Sequence, residues 1–380
     1  MKRRHIFFLG CGLLANSFLF AQTPAKKAKN DDFHLLVGTY TTGKSEGIYV
    51  YKFNVKTGEF KAESIAKNIK NPSFLAVSPD EKYVYSAGEV DNNGAVHSFS
   101  FNKKTGDLTP LTSQSSNGNY PCHVAIDKTG KWVIAGNYGA GSLTVLPVEA
   151  DGALGKPTQT IQHEGKGVNA ERQEKPHVHS INFAPNNHDV FVADLGIDKI
   201  VTYSLDTKTG KLSDGNPPFT KVQDGSGPRH FTMHPNGKWA YVIQELSSQV
   251  TVFDYKNGSL AAKQSLSTLP ADFKGDNSCA DIHVSPDGKF LYGSNRFHDT
   301  IVIYSIDAKT GTLTYIGEQS VMGKVPRNFM IDPTGNFVLV ANQKTDNIVI
   351  FKRDKQKGTL TPTGKEIAVP TPVCLKMINF

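Results

Sequence analysis

His123, His179, Arg229, His230, Asp281 and Arg327 stand at the start of apolar runs in this chain. Glu89, Asp194, Glu245 and Arg296 stand at the end of the runs that follow them. Imidazoles and carboxylates exchange protons. Guanidinium groups hold a carboxylate or phosphate and stabilise an oxyanion. Folding alone does not call for this much ionisable chemistry at strand ends. Bland readings exist for single members. Arg229 with Glu245 could be a structural ion pair between neighbouring strands. His123 could bond a neighbouring sheet, His283 reads as a packing histidine, and His188 and His234 read as surface turn residues. His177 and His179 alternate and would share a strand face. With Glu89 or Asp194 they could in principle hold zinc, although no spacing compels it.

The elements that must position these residues form a repeat. An apolar strand ends in a turn such as His234-Pro235-Asn236-Gly237-Lys238 or Ser285-Pro286-Asp287-Gly288-Lys289, and a second apolar strand follows. The turn recurs at Pro79, Lys128, Pro185, Pro235, Pro286 and Pro333, spaced 49, 57, 50, 51 and 47 residues apart. Proline presets φ for the turn, and Gly or Asn supplies its left-handed position. A third strand and a Lys-Thr-Gly turn then lead to a weaker outer strand. A period near 50 with four short antiparallel strands predicts an all-β propeller. Six turns mark six blades. Residues 33–66 supply a further set without a first strand, and residues 372–377 supply a spare first strand. The C-terminal strand therefore joins the N-terminal blade and closes a ring of seven.

Numbered from the second turn residue, the start of each inner strand and the end of the next strand meet at one end of every blade. Around the ring they form one mouth of a central channel. Neighbouring residues on a strand point to opposite faces, so about half of each pair should face the channel. The sequence does not say which half. The longest spacing holds an insertion with His163-Glu164 and Glu171-Arg172-Gln173-Glu174, which leads into Pro176-His177-Val178-His179. It is either a solvated loop or a lid over the mouth.

Residues 1–21 read as an export signal: Lys2, Arg3 and Arg4, then an interrupted apolar stretch from Ile6 to Phe20, with cleavage expected near Ala21. The run before Cys11 is short for a lipoprotein signal. The expected organisation is a signal peptide at 1–21, a flexible segment at 22–32 and the propeller at 33–380. The destination is the periplasm, with no membrane span. Loss of the signal lowers the formal charge from +7 to +4. That excess suits a small anionic substrate. Without a dense basic run interleaved with aromatics, nucleic acid is not an expected partner. Cys122, Cys279 and Cys374 have no metal-like spacing and read as buried free thiols. A monomer is expected.

Gly227-Pro228-Arg229-His230 with Gln244-Glu245-Leu246, Ala280-Asp281-Ile282-His283 with Asn295-Arg296, and Glu171-Arg172-Gln173-Glu174 with Pro176-His177-Val178-His179 and Asp194-Leu195-Gly196 resemble the bacterial 6-phosphogluconolactonases built as seven-bladed propellers. The resemblance runs in order over residues 33–380. It implies hydrolysis of a sugar lactone, most simply 6-phosphogluconolactone to 6-phosphogluconate. The same family includes fungal carboxymuconate lactonizing enzymes. Their catalytic His, Glu and two Arg fall on His179, Glu245, Arg229 and Arg296 here. His179 or Glu245 would act as base and acid, and the arginines would hold the oxyanion and an anionic group. His177, His230, Asp194, Arg327, Asn137 and Arg172 are then expected to contact substrate. That reaction requires no metal or organic cofactor. The departure from the pattern is the export signal, since the phosphogluconolactonases of this type work in the cytoplasm. Lactonizing activity on a carboxymuconate-like acid, a non-catalytic ligand-binding propeller and a metal-dependent sugar lactonase are the competing expectations.

Overall fold

The computed structural model describes Met1 and residues 31–380; the expected signal peptide lies outside the described residues. Among the described residues there are seven four-stranded antiparallel sheets. Blades are numbered here in chain order. Blade 4, for example, runs Val178–Phe183, Asp189–Asp194, Lys199–Leu205 and Leu212–Lys221 from the axis outward. The first strand of each blade touches the first strand of the next, all the way round. The ring is therefore closed.

Closure occurs where the repeat predicts it. Blade 1 is ordered Pro372–Asn379, Asp32–Thr39, Gly47–Asn54, Phe60–Lys67. Its two terminal segments pair from Phe33 with Asn379 to Gly38 with Cys374. Apolar residues on the sheet faces then pack between blades. Leu35, Val37 and Tyr49 of blade 1 share one buried cluster with Leu339, Ile348 and Ile350 of blade 7. The seam is thus sealed by backbone pairing on one side and by an apolar interface on the other.

The recurrent turns also join neighbours. Gly130, Gly237 and Gly335 have φ near +70°, the left-handed region that costs an L side chain energy. A Cβ on each would sit on the turn proline of the preceding blade: Pro79, Pro185 and Pro286. Aromatic side chains of the second strands reach the next blade as well. Tyr241 Oη donates to the Gly311 carbonyl at 2.9 Å, and Tyr292 Oη to the Gly358 carbonyl at 2.7 Å. Each bond satisfies a buried hydroxyl and fixes the rotation between blades. The three described cysteines are free and buried.

Candidate active site

Strand alternation should send only one of each inner pair to the channel. The ladder breaks that rule. In blade 4 Val178 pairs with Asp194 and Ser180 with Ala193, so His179 is an extra residue. Arg229 is extra in blade 5, Arg327 in blade 7 and Cys122 in blade 3. Blade 1 repeats the pattern at Val373, and blade 6 at Ala280 and Asp281. A bulge sets two residues against one and bends the strand. Consecutive side chains can then both reach the axis. Arg229 and His230 line one and the same small cavity.

The axis accordingly carries two layers. The outer layer bounds a cavity of about 200 Å³, lined by Glu89, Cys122, Tyr138, Arg172, His179, Glu245, Arg296 and Arg327. The inner layer holds Phe74, His123, His230 and Asp281. These residues also line a cavity of about 400 Å³ toward the opposite end of the channel. The His123 ring stacks on Phe74 at 4.0 Å, and the His230 ring meets the His179 ring edge-on at 5.4 Å.

Glu245 is the hub of the outer layer. Its Oε2 accepts from Arg229 Nε at 2.8 Å and lies 3.0 Å from Arg296 Nη2, while Oε1 accepts from Arg172 Nη2 at 2.6 Å. Burial pushes the Glu245 carboxyl up. Arg296, Arg229 and Arg172 outweigh that and hold it below the usual carboxylate range. Burial, with Arg296 and Arg327 close by, draws Arg229 down to about 10, so it remains a cation at neutral pH. Arg296 also donates to the Ser278 and Cys279 carbonyls. Arg327 differs from these three. Among the described residues it makes no hydrogen bond or ion pair, and its guanidinium lies 5.4 Å from the centre of the Tyr40 ring. Tyr40 Oη in turn donates to both Glu89 oxygens, at 3.0 and 2.9 Å. Three guanidinium groups, Arg172, Arg296 and Arg327, thus face two glutamates around one cavity, with Arg229 beneath it, an environment suited to an anion.

His179 is 4% exposed. Burial holds its imidazole well below the ordinary histidine range, and Arg229, His230 and Arg327 reinforce that. It is neutral at pH 7 and can accept a proton. The insertion supplies Arg172 and is anchored at both ends. His163 Nδ1 lies 2.7 Å from Asp194 Oδ2, and Gln173 Nε2 donates to the Leu195 carbonyl at 2.8 Å. The insertion is therefore a fixed shoulder of the mouth.

Four residues expected at the substrate are not brought to that cavity, and one of them, His230, lies one layer deeper. Asn137 donates to the Ser116 carbonyl and to Ser142 Oγ; its neighbour Tyr138 takes the cavity position. Asp194 is fully buried and accepts from the backbone of His177 and Gly196. His177 stacks on Tyr138 at 4.4 Å, with its ring nitrogens near the Tyr138 carbonyl and Glu174. His177 precedes the strand Val178–Phe183; both imidazoles meet the Tyr138 ring, but of the two only His179 lines the cavity. The expected surface position of His234 also changes: it is 9% exposed, and its Nε2 lies 2.9 Å from the Gly288 carbonyl of the next blade's turn. Tyr138 and Glu89 complete the cavity, and Tyr40 lines the smaller one beneath it, without having been singled out as substrate contacts. Tyr40 follows the second strand of blade 1, as Glu245 follows that of blade 5, so the repeat itself carried the signal.

A family model described as seven-bladed β-propeller lactonase matches residues 34–377. The chain is 39% identical to the 6-phosphogluconolactonase of Bacillus subtilis over 346 residues, which is 90% of this chain and 97% of the relative. It is 40% identical to the 6-phosphogluconolactonase of Formosa agariphila over 306 residues, 78% and 86% of the two chains. The structure of the periplasmic gluconolactonase of Pseudomonas aeruginosa superposes with a TM-score of 0.88 at 35% identity, covering 91% of this chain and 99% of that one.

Proposed function

The chain belongs to the seven-bladed β-propeller lactonase family, and on that premise we propose that it opens 6-phosphogluconolactone to 6-phosphogluconate with His179 as general base. It is a lactone-hydrolysing enzyme of sugar metabolism, a carboxylic ester hydrolase. The observation that carries the finer reading is Arg327. It is a cation to which no anion among the described residues is bonded, beside a neutral imidazole in an arginine-rich cavity.

Ring opening needs a base for the attacking water, charge for the oxyanion and an anchor for the substrate's anionic group. A carboxylate clamped by three guanidinium groups is a weak base. Both Glu245 oxygens are occupied by those groups, whereas among the described residues the His179 ring nitrogens have only the distant Cys122 thiol, so the geometry favours His179 for proton transfer. Glu245 instead holds Arg229, Arg296 and Arg172 in place. Arg296 faces the cavity as an oxyanion donor, and Arg327 is free to pair with the phosphate. His230 lies one layer deeper, below the substrate.

Similarity to a periplasmic gluconolactonase favours a second reading, in which the substrate is the unphosphorylated lactone. The same similarity, with the basic and apolar pattern of residues 1–21, supports export and a mature chain beginning at Gln22. One preparation tests both readings. The protein is recovered from the periplasmic fraction, its N-terminus is sequenced, and kcat/KM is measured on 6-phosphogluconolactone, glucono-lactone and a carboxymuconate-like acid. The phosphorylated lactone should be preferred by at least about tenfold, and Arg327→Gln should abolish that preference. Equal rates on both lactones, unchanged in the variant, would overturn the substrate assignment. A cytoplasmic chain with an intact N-terminus would overturn export.

A further inference from the structure

We propose that His230, held by Asp281, accepts the proton that each turnover releases, through a single water lodged beneath His179. The proposal rests on the lactonase reading. Hydrolysis bonds the water oxygen to the carbonyl carbon while one water proton passes to His179. The bond from that carbon to the ring oxygen then breaks, and the ring oxygen takes the proton back as a hydroxyl. The new carboxyl group still carries the second hydrogen of the water and ionises at neutral pH. That hydrogen is the net proton.

Beneath the substrate cavity lies a second one of about 10 Å³, the room one water needs. His179, His230, Arg229 and Ser73 line it. Ser73 is 4% exposed, and among the described residues its Oγ has no hydrogen-bond partner, so it can bond a water placed there. The two imidazoles that meet at this cavity are not equivalent. Among the described residues His179 Nδ1 has only Cys122 Sγ as a polar neighbour, at 3.9 Å. His230 Nδ1 lies 2.7 Å from Asp281 Oδ1. That contact places the hydrogen on Nδ1 and leaves the Nε2 lone pair to accept. A carboxylate so placed orients the ring and stabilises its imidazolium.

Asp281 is itself firmly held. It accepts from the backbone of Ile282 and Phe329 and from the Asn328 amide, and its Oδ2 lies 2.8 Å from His283 Nε2. Burial and Arg229 draw His230 down to about 4, against the pull of Asp281. His230 also borders the cavity toward the opposite end of the channel, away from the arginine-lined mouth.

The test measures kcat and KM of wild type, His230→Gln and Asp281→Asn on the lactone the wild type opens fastest, at rising imidazole concentration and fixed pH and ionic strength. Both variants should lose at least about tenfold in kcat with KM nearly unchanged. Added imidazole should restore most of the loss and leave wild type indifferent. A raised KM with intact kcat would assign His230 to substrate binding and overturn the proposal. So would a kcat loss that ignores imidazole in a variant that melts like wild type, which marks a packing role. If Asp281→Asn does not fold, His230→Gln decides alone. A wild type that opens no lactone would refute the proposed function instead, a separate outcome.

Discussion

Glu245 and His179 answer to different physics, and their variants should separate. Glu245 is buried among three guanidinium groups. Glu245→Gln leaves those cations without a counter-charge, and removing one partner of a buried pair costs about 3–5 kcal/mol. Denaturant unfolding should register that loss, together with a fall in activity. His179 has no strong partner to lose. His179→Ala should lower kcat by about 100-fold or more while the melting temperature stays close to that of wild type. Full lactone hydrolysis by either variant would contradict its assigned place in the mechanism.

The bulges and the insertion are what turn a repeat into a site. A regular inner strand would hide His179, Arg229 and Arg327 or their successors between sheets; the extra residue lets both reach the axis. The insertion brings Arg172 over the mouth because Gln173 is locked beneath it. Gln173 is fully buried; it donates to the Leu195 carbonyl and accepts from the Asn169 backbone. Gln173→Ala strands those backbone groups at a cost of about 1–3 kcal/mol. The expected result is a raised KM with kcat little changed, and faster proteolytic cutting within residues 163–176. Unaltered KM and protease resistance would mean that Arg172 holds its place without the anchor.

Ring closure makes the last strand as necessary as any other. Pro372–Asn379 is the inner strand of blade 1, paired to Asp32–Thr39 on one side and touching the inner strands of blades 2 and 7. Without it, one blade loses its axial strand and two neighbours lose their apolar cover. Deleting residues 370–380 should therefore abolish folding. A soluble truncation with one cooperative melting transition would show that the ring does not need its clasp. In the intact chain the channel separates an arginine-rich mouth from the His230 and Asp281 layer beneath, with a cavity at each end.

The repeat, the blade count and the closing strand were legible in the amino-acid sequence. Turn chemistry recurs at a fixed period, and Pro, Gly and Asn have local backbone causes. The end of each blade that carries the polar ring followed from the same period. Whether a residue points inward did not. Strand alternation predicts one face per residue, and a bulge is a property of two paired strands, so His179 and Arg229 reached the axis together with their neighbours for a reason no single strand contains. Asn137 and Tyr138 are adjacent and both polar at their tips; bonds to Ser142 of the third strand and to the Ser116 carbonyl decide that Asn137 stays inside the blade. The contact of His230 with Asp281 joins residues 51 apart, and the Glu245 hub draws on blades 5 and 6 and the insertion. Proton transfer and charge stabilisation act over a few ångströms, and distances of that order between blades are set by tertiary packing alone.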